Sequence, residues 1–200
     1  MKEFIKSLKA FILFSILLGL IYPAFITIVT RLTLPYKANG SLIVKGNETV
    51  GSVFIGQLFT DNKYFQSRPS AVDYNASGSG GSNYGPSNKK FIEVVEERIN
   101  SVKAINGITE NSVPADMVLA SASGLDPHIS PENAMMQVKR VAGVRGIPTD
   151  KVIQLVNNNI DKDFLGIWGC PGVNVLKLNI AVDELESKYK MDTIPQGAKK

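Results

Sequence analysis

The chain has 200 residues, with 22 Lys and Arg against 18 Asp and Glu, a formal net charge of +4. Residues 1–37 carry Lys2, Lys6, Lys9, Arg31 and Lys37 against Glu3, which accounts for the whole excess; the remaining 17 basic and 17 acidic residues cancel. A balanced remainder excludes the clustered positive charge that phosphate backbones require, so no nucleic-acid partner is expected.

Residues 1–9 form a short basic start. From Ala10 to Thr30 there is no charged side chain, and Phe, Ile, Leu and Val dominate. This predicts a transmembrane helix over 10–34, because about 20 apolar residues cross a hydrocarbon core. Ser15 and Gly19 offer a small-x-x-x-small face, and Gly19 and Pro23 are tolerated better in lipid than in water. A cleaved signal peptide is the alternative. The apolar run continues past Pro23 with no small-x-small site after it, which favours a retained anchor. The lysines before the helix favour a cytoplasmic N-terminus and an external C-terminal domain.

Residues 35–190 are long enough for one soluble α+β domain with its own core. Val50 to Phe59 reads as a strand, and Asp61 to Pro86 as irregular. Within that stretch, Tyr74 to Asn88 is an uncharged run of Gly, Ser and Asn with two tyrosines. Such a run cannot form a core, and it reads as a structured polar loop. Pro86-Ser87 opens a helix whose apolar positions Phe91, Val94, Val95, Ile99 and Val102 recur at helical spacing, with Gly107 as its stop. Pro114-Ala115-Asp116 starts a shorter one. Ser130-Pro131-Glu132 combines a cap, a first-turn proline and a first-turn acid, predicting a helix to Arg145 that stops at Gly146. Another helix spans Thr149 to Asn158. Val173 to Asn179 reads as a strand, Ala181 to Tyr189 as a last helix, and 191–200 as a frayed polar tail.

Gly80 and Gly85 have the spacing of phosphate-loop glycines, but Pro86 stands where the lysine belongs. His128, the only histidine, lies close to Asp126 and several serines. A polar turn explains this grouping, and a triad is the competing reading. Arg68 suggests an anion site or, more simply, an ion pair. Cys170 reads as a small buried side chain. No metal-ligand spacing occurs, and no catalytic residue or intrinsic cofactor is assigned.

Several motifs then occur in one order. They are Gly51-Ser52-x-x-Ile55-Gly56-Gln57-x-Phe59, Tyr64-Phe65-x-x-Arg68-Pro69-Ser70-Ala71, Ser79-Gly80-Gly81-Ser82-Asn83-x-Gly85-Pro86-Ser87-Asn88 and Ser123-Gly124-Leu125-Asp126-Pro127-His128-Ile129-Ser130-Pro131. Gln137-x-x-Arg140-Val141-Ala142, Arg145-Gly146 and Val173-Asn174-Val175-Leu176-x-Leu178-Asn179 follow. The series resembles the C subunit of the Kdp-type potassium-transporting ATPase. The resemblance implies an accessory, single-pass subunit of an inner-membrane potassium uptake complex. Its implied partners are a P-type ATP-hydrolysing subunit and a potassium-channel-like subunit, besides membrane lipid. It also implies a catalytic chaperone that raises the ATP affinity of the hydrolysing subunit, with ATP held jointly near Ser79, Gly80, Gly81, Ser82 and Asn83. A cap on the channel-like subunit is the other role, with Arg68, Tyr74, Asn75, Tyr84, Asn88, Asp126 and His128 as contact candidates. The anchor is marked by Ala10, Ser15, Gly19, Pro23 and Thr30. A membrane-anchored external hydrolase and a polar-ligand binder remain as alternatives.

Overall fold

The computed structural model describes residues 1–109, 112–162 and 169–193, the side chains of 192 and 193 excepted. The chain divides into two compact units, the first ending at Ser52 and the second beginning at Val53.

The first unit is dominated by a helical run, Lys2–Thr33, long and apolar enough to cross a membrane. It comprises α1 (Lys2–Ile16), a π-helical turn (Leu17–Ile21) and α2 (Tyr22–Thr33). The widened turn sits just before Pro23, which has no N–H to give to the preceding turn. Thr27, Thr30 and Thr33 donate their hydroxyls to the carbonyls of Pro23, Ile26 and Val29 four residues back. Each hydroxyl is thereby satisfied inside the helix, the condition for a polar side chain in a lipid-crossing segment. A short helix α3 (Pro35–Ala38) follows, then an antiparallel hairpin of β1 (Leu42–Lys45) and β2 (Glu48–Ser52).

The second unit is mixed. Its helices are α4 (Lys89–Asn106), α5 (Ala115–Val118), α6 (Pro131–Arg145), α7 (Thr149–Asn158) and α8 (Val175–Thr193). A small antiparallel sheet has the order β3 (His128–Ile129), β5 (Gly172–Asn174), β4 (Ile160–Asp161). The core joins α6, α7, α8 and the sheet through Val138, Val141, Val152, Val156, Val173 and Leu178, with Phe65 inserted from the irregular segment. The α+β architecture therefore matches the expectation from sequence.

Several helix ends fall where local chemistry puts them. Ser130 Oγ accepts from Asn133 N, Pro131 occupies the first turn, and Gly146 stops α6 at φ 66°. Gly107 stops α4 at φ 63°. The expected start of α4 at Pro86-Ser87 is two residues early, because Asn88 is the cap and accepts from Phe91 N. The strand expected over Val50 to Phe59 ends at Ser52. Beyond it the backbone finds partners outside any ladder: Asn174 Nδ2 donates to Val53 O, and Gly56 N donates to Leu125 O. The strand expected over Val173 to Asn179 also stops early. Asn174 Oδ1 accepts from Lys177 N and turns the chain into α8. Val175, Leu178 and Val182 then share one buried helical face, so an alternating pattern was a helical stripe. The last helix accordingly begins six residues before Ala181. It also runs on to Thr193, so the first three residues of the tail expected over 191–200 are helical; residues 194–200 lie outside the described residues.

The irregular segment is held by side chains rather than by strands. Arg140 donates to Asn62 O and to Tyr64 O at 2.9 Å, and to Asn106 Oδ1 and Gln137 Oε1 at 2.8 and 2.7 Å. Arg145 donates to Lys63 O at 2.7 Å and pairs with Asp183 and Glu186 on α8. A buried guanidinium is tolerated because its donors are matched in this way.

Candidate functional site

Two neighbouring features of the second unit carry the residues singled out from sequence. The first is the Gly/Ser run, which lies flat on the loop 121–124. Gly80 N donates to Ser123 O at 2.9 Å, and Ser79 Oγ donates to the same oxygen at 3.1 Å. A Cβ built on Gly81 would stand 3.1 Å from Ala122 O. Gly124 answers from the other side, with φ +69° and a would-be Cβ 2.5 Å from Val72 Cγ2 and 2.9 Å from Gly80 O. Two backbones approach this closely only where side chains are missing. Ser82 and Asn83 are exposed beyond the contact, Asn83 at φ 54°.

Ser70 organises the approach to this strap. Its hydroxyl donates to Gly124 O at 2.7 Å and accepts from the amides of Val72 and Tyr74. Tyr74 itself holds a left-handed backbone at φ 57°, and its hydroxyl donates to Arg68 O. Burial pushes the Tyr74 phenol above its ordinary value. Asn75 closes a local turn by accepting from Ser77 N. The Tyr84 ring lies 6.1 Å from that of Phe91, and Asn88 caps α4. Tyr74, Asn75 and Asn88 thus have structural bonds of their own.

The second feature is a cleft of about 890 Å³ lined by Arg68, Asp126, His128, Asp161, Met136 and Cys170, among others. Arg68 Nη1 donates to Asp126 Oδ2 at 2.9 Å. The other Asp126 oxygen accepts from His128 N at 3.0 Å, which makes the turn over Pro127. The imidazole stands between two carboxylates, with Nδ1 3.7 Å from Asp126 and Nε2 3.8 Å from Asp161. Gly172 passes 3.6 Å from the His128 side chain, measured from an added Cβ. Burial pushes the Asp126 carboxyl up, but bonds from His128 and Arg68 outweigh it and hold the group below its ordinary value of 3.8. Arg68, Asp126 and His128 therefore come together, although Arg68 and Asp126 are 58 residues apart in sequence.

Asp116, named in the Pro114-Ala115-Asp116 helix start, and Asp161 belong to this region without having been proposed as site residues. Asp116 accepts from Ser130 N, Ser130 Oγ and Asn133 Nδ2, binding α5 to the start of α6. Asp116 stood in a helix start whose long-range partner was not legible; Asp161 had no local signal at all. Cys170 is exposed, which corrects the expectation of a buried thiol. Among the described residues no cluster of His, Cys, Asp and Glu could hold a metal ion. Ser130 is engaged by Asp116 and the α6 cap, and Ser123 Oγ accepts from Leu125 N. Both nitrogens of His128 face carboxylates, an arrangement that gives neither serine a base.

Comparison with known proteins gives the same reading over nearly the whole chain. The family model described as "K+-transporting ATPase, c chain" matches residues 4–184. The potassium-transporting ATPase KdpC subunit of Caldanaerobacter subterraneus subsp. tengcongensis is 49% identical over 190 residues, covering 94% of this chain and 98% of that one. The KdpC subunit of Herpetosiphon aurantiacus is 48% identical over 191 residues, covering 94% and 99%. That of Dechloromonas aromatica is 48% identical over 182 residues, covering 90% and 95%. A match of this extent, on a chain with one apolar helix and an α+β unit, means that this protein belongs to the KdpC family of potassium-transporting ATPase subunits.

Proposed function

We propose that the chain is a non-catalytic, single-span subunit of a potassium uptake complex in the cell (inner) membrane, and that it works by docking. Its N-terminus is cytoplasmic and its second unit external, where it caps the channel-like subunit. The P-type subunit of the same complex hydrolyses the ATP. Any gain in the ATP affinity of that subunit is transmitted through assembly, without ATP bound jointly at residues 79–83.

The observation that carries this reading is the engagement of the Gly/Ser run. A loop that cradles phosphate aims free backbone N–H groups outward and usually adds a cation. Here Gly80 N is spent on Ser123 O, Ser79 Oγ on the same atom, and no charged side chain occurs from Tyr74 to Asn88. The run behaves as a brace between two loops. The lysines ahead of α2 support the orientation. The open space around Gly19 supports close approach of a neighbouring helix at the anchor.

The test is site-directed labelling at Ser82, which is exposed. In a Cys170→Ala background, Ser82→Cys in intact cells should react with a membrane-impermeant maleimide. Reaction only after the membrane is breached would place the brace inside and return the joint ATP site to consideration.

A further inference from the structure

We propose that the β1–β2 hairpin is a lipid-contacting foot that rests in the headgroup layer beside the end of the membrane helix. The inference rests on that helix crossing the bilayer and not on which way it points.

The hairpin is tied closely to the helix end. Thr33 ends α2, and α3 begins two residues later at Pro35. Ser41 N donates to Tyr36 O at 3.0 Å, and Tyr36 Oη donates to Ser41 O at 3.2 Å. Ser52 Oγ closes the base by donating to Gly40 O at 2.7 Å. The hairpin is therefore not a free tether. A four-residue strand spans about 14 Å, and the polar layer on each side of the hydrocarbon is about 5–8 Å deep. A hairpin hinged at that boundary keeps much of its surface within the layer whenever it lies along the membrane.

Its composition suits such a place. Leu42 and Val44 lie on one face of β1 and are 46% and 59% exposed; Tyr36, at the hinge, is 56% exposed. Apolar side chains left open on a two-stranded hairpin give it no core of its own. Arg31, Lys37 and Lys45 flank them in sequence, against Glu48 as the only acid from 31 to 52. Apolar tips with flanking cations, plus a tyrosine at the water boundary, match a phospholipid surface on both its acyl and phosphate sides. An apolar protein helix would match the apolar tips but not the flanking cations.

The test uses the full chain in nanodiscs of phosphatidylcholine with phosphatidylglycerol. A nitrobenzoxadiazole dye is placed on Val44→Cys, and separately on Leu42→Cys, in the Cys170→Ala background. Leu20→Cys serves as the membrane reference and the dye–cysteine conjugate in buffer as the aqueous one. At 42 and 44, spin-labelled lipid should quench the dye at least half as strongly as at 20, and iodide should quench it several-fold less than in buffer. Iodide quenching equal to that in buffer at both positions, with position 20 lipid-quenched, would overturn the foot while leaving the anchor intact. Protection at 42 and 44 that arises only on adding the other subunits would overturn it in favour of a protein contact. An aqueous signal at position 20 would instead show that the anchor had failed to insert, and the foot would fall with it.

Discussion

Asn179 replaces a missing strand for Phe65. Its Oδ1 accepts from Phe65 N at 2.8 Å and its Nδ2 donates to Phe65 O at 2.9 Å. Gln137 does the same for the next residue, with Oε1 to Gln66 N at 2.7 Å and Nε2 to Gln66 O at 3.1 Å. Two amide side chains, from α8 and α6, thus supply the donors and acceptors that a sheet would give. Phe65 is fully buried between them, so its peptide groups need these partners.

Replacing Asn179 tests this bracket. Asn179→Ala strands a buried N–H and a buried carbonyl, and a loss of about 2–4 kcal/mol is expected. Asn179→Asp keeps the acceptor but turns the donor into an oxygen facing Phe65 O, so it should be at least as harmful near neutral pH. Urea unfolding of the full chain in detergent reads both. An Asp variant as stable as the native chain would contradict the bracket.

Gly124 controls the brace. Any side chain there meets Val72 and Gly80 O, on a backbone at φ +69° that disfavours one. Gly124→Ala should cost about 1–3 kcal/mol through strain and displaced contacts. Amide exchange at Gly80 should speed up more than exchange in α7, which lies away from the contact. Unchanged protection at Gly80 would show that the two loops do not hold each other.

Asp126 gives the cleft a pH dependence with a definite sign. Its folded-state value is lowered from 3.8, so its contribution is fully present above 3.8 and is lost as pH falls through the lower folded value. Stability should therefore decline on acidification below about pH 5, and Asp126→Asn should make that decline shallower. Unfolding midpoints measured from about pH 6 down to about pH 3 provide the check. Equal slopes in the two proteins would remove Asp126 from the ion-pair account.

Much of this architecture was legible in local signals. The Ser130-Pro131 start, the stop at Gly146 and the helix Thr149–Asn158 follow from capping and periodicity, which act over a few residues. The apolar helix was legible for the same reason. The strand over Val50 to Phe59 was read too long because the backbone beyond Ser52 bonds to distant segments, and the one over Val173 to Asn179 because Asn174 turns the chain into a helix. Asn174, Asn179 and Gln137 were visible as parts of motifs, yet nothing local tells that an amide will stand in for a strand. In the cleft, Asp126 and His128 share a turn and could be grouped. Asp161 reaches His128 only through the β4–β5 pairing, a register that no short pattern encodes.

The central claim is that the chain acts through what it docks against and performs no turnover of its own. Affinity purification of the full chain from a mild detergent, followed by ATPase assay of the assembled and the isolated protein, tests it most directly. The account predicts that the channel-like and P-type subunits co-purify, that the assembly hydrolyses ATP, and that the isolated chain does not. Hydrolysis of ATP by the isolated chain, or recovery of the chain without either subunit, would contradict it.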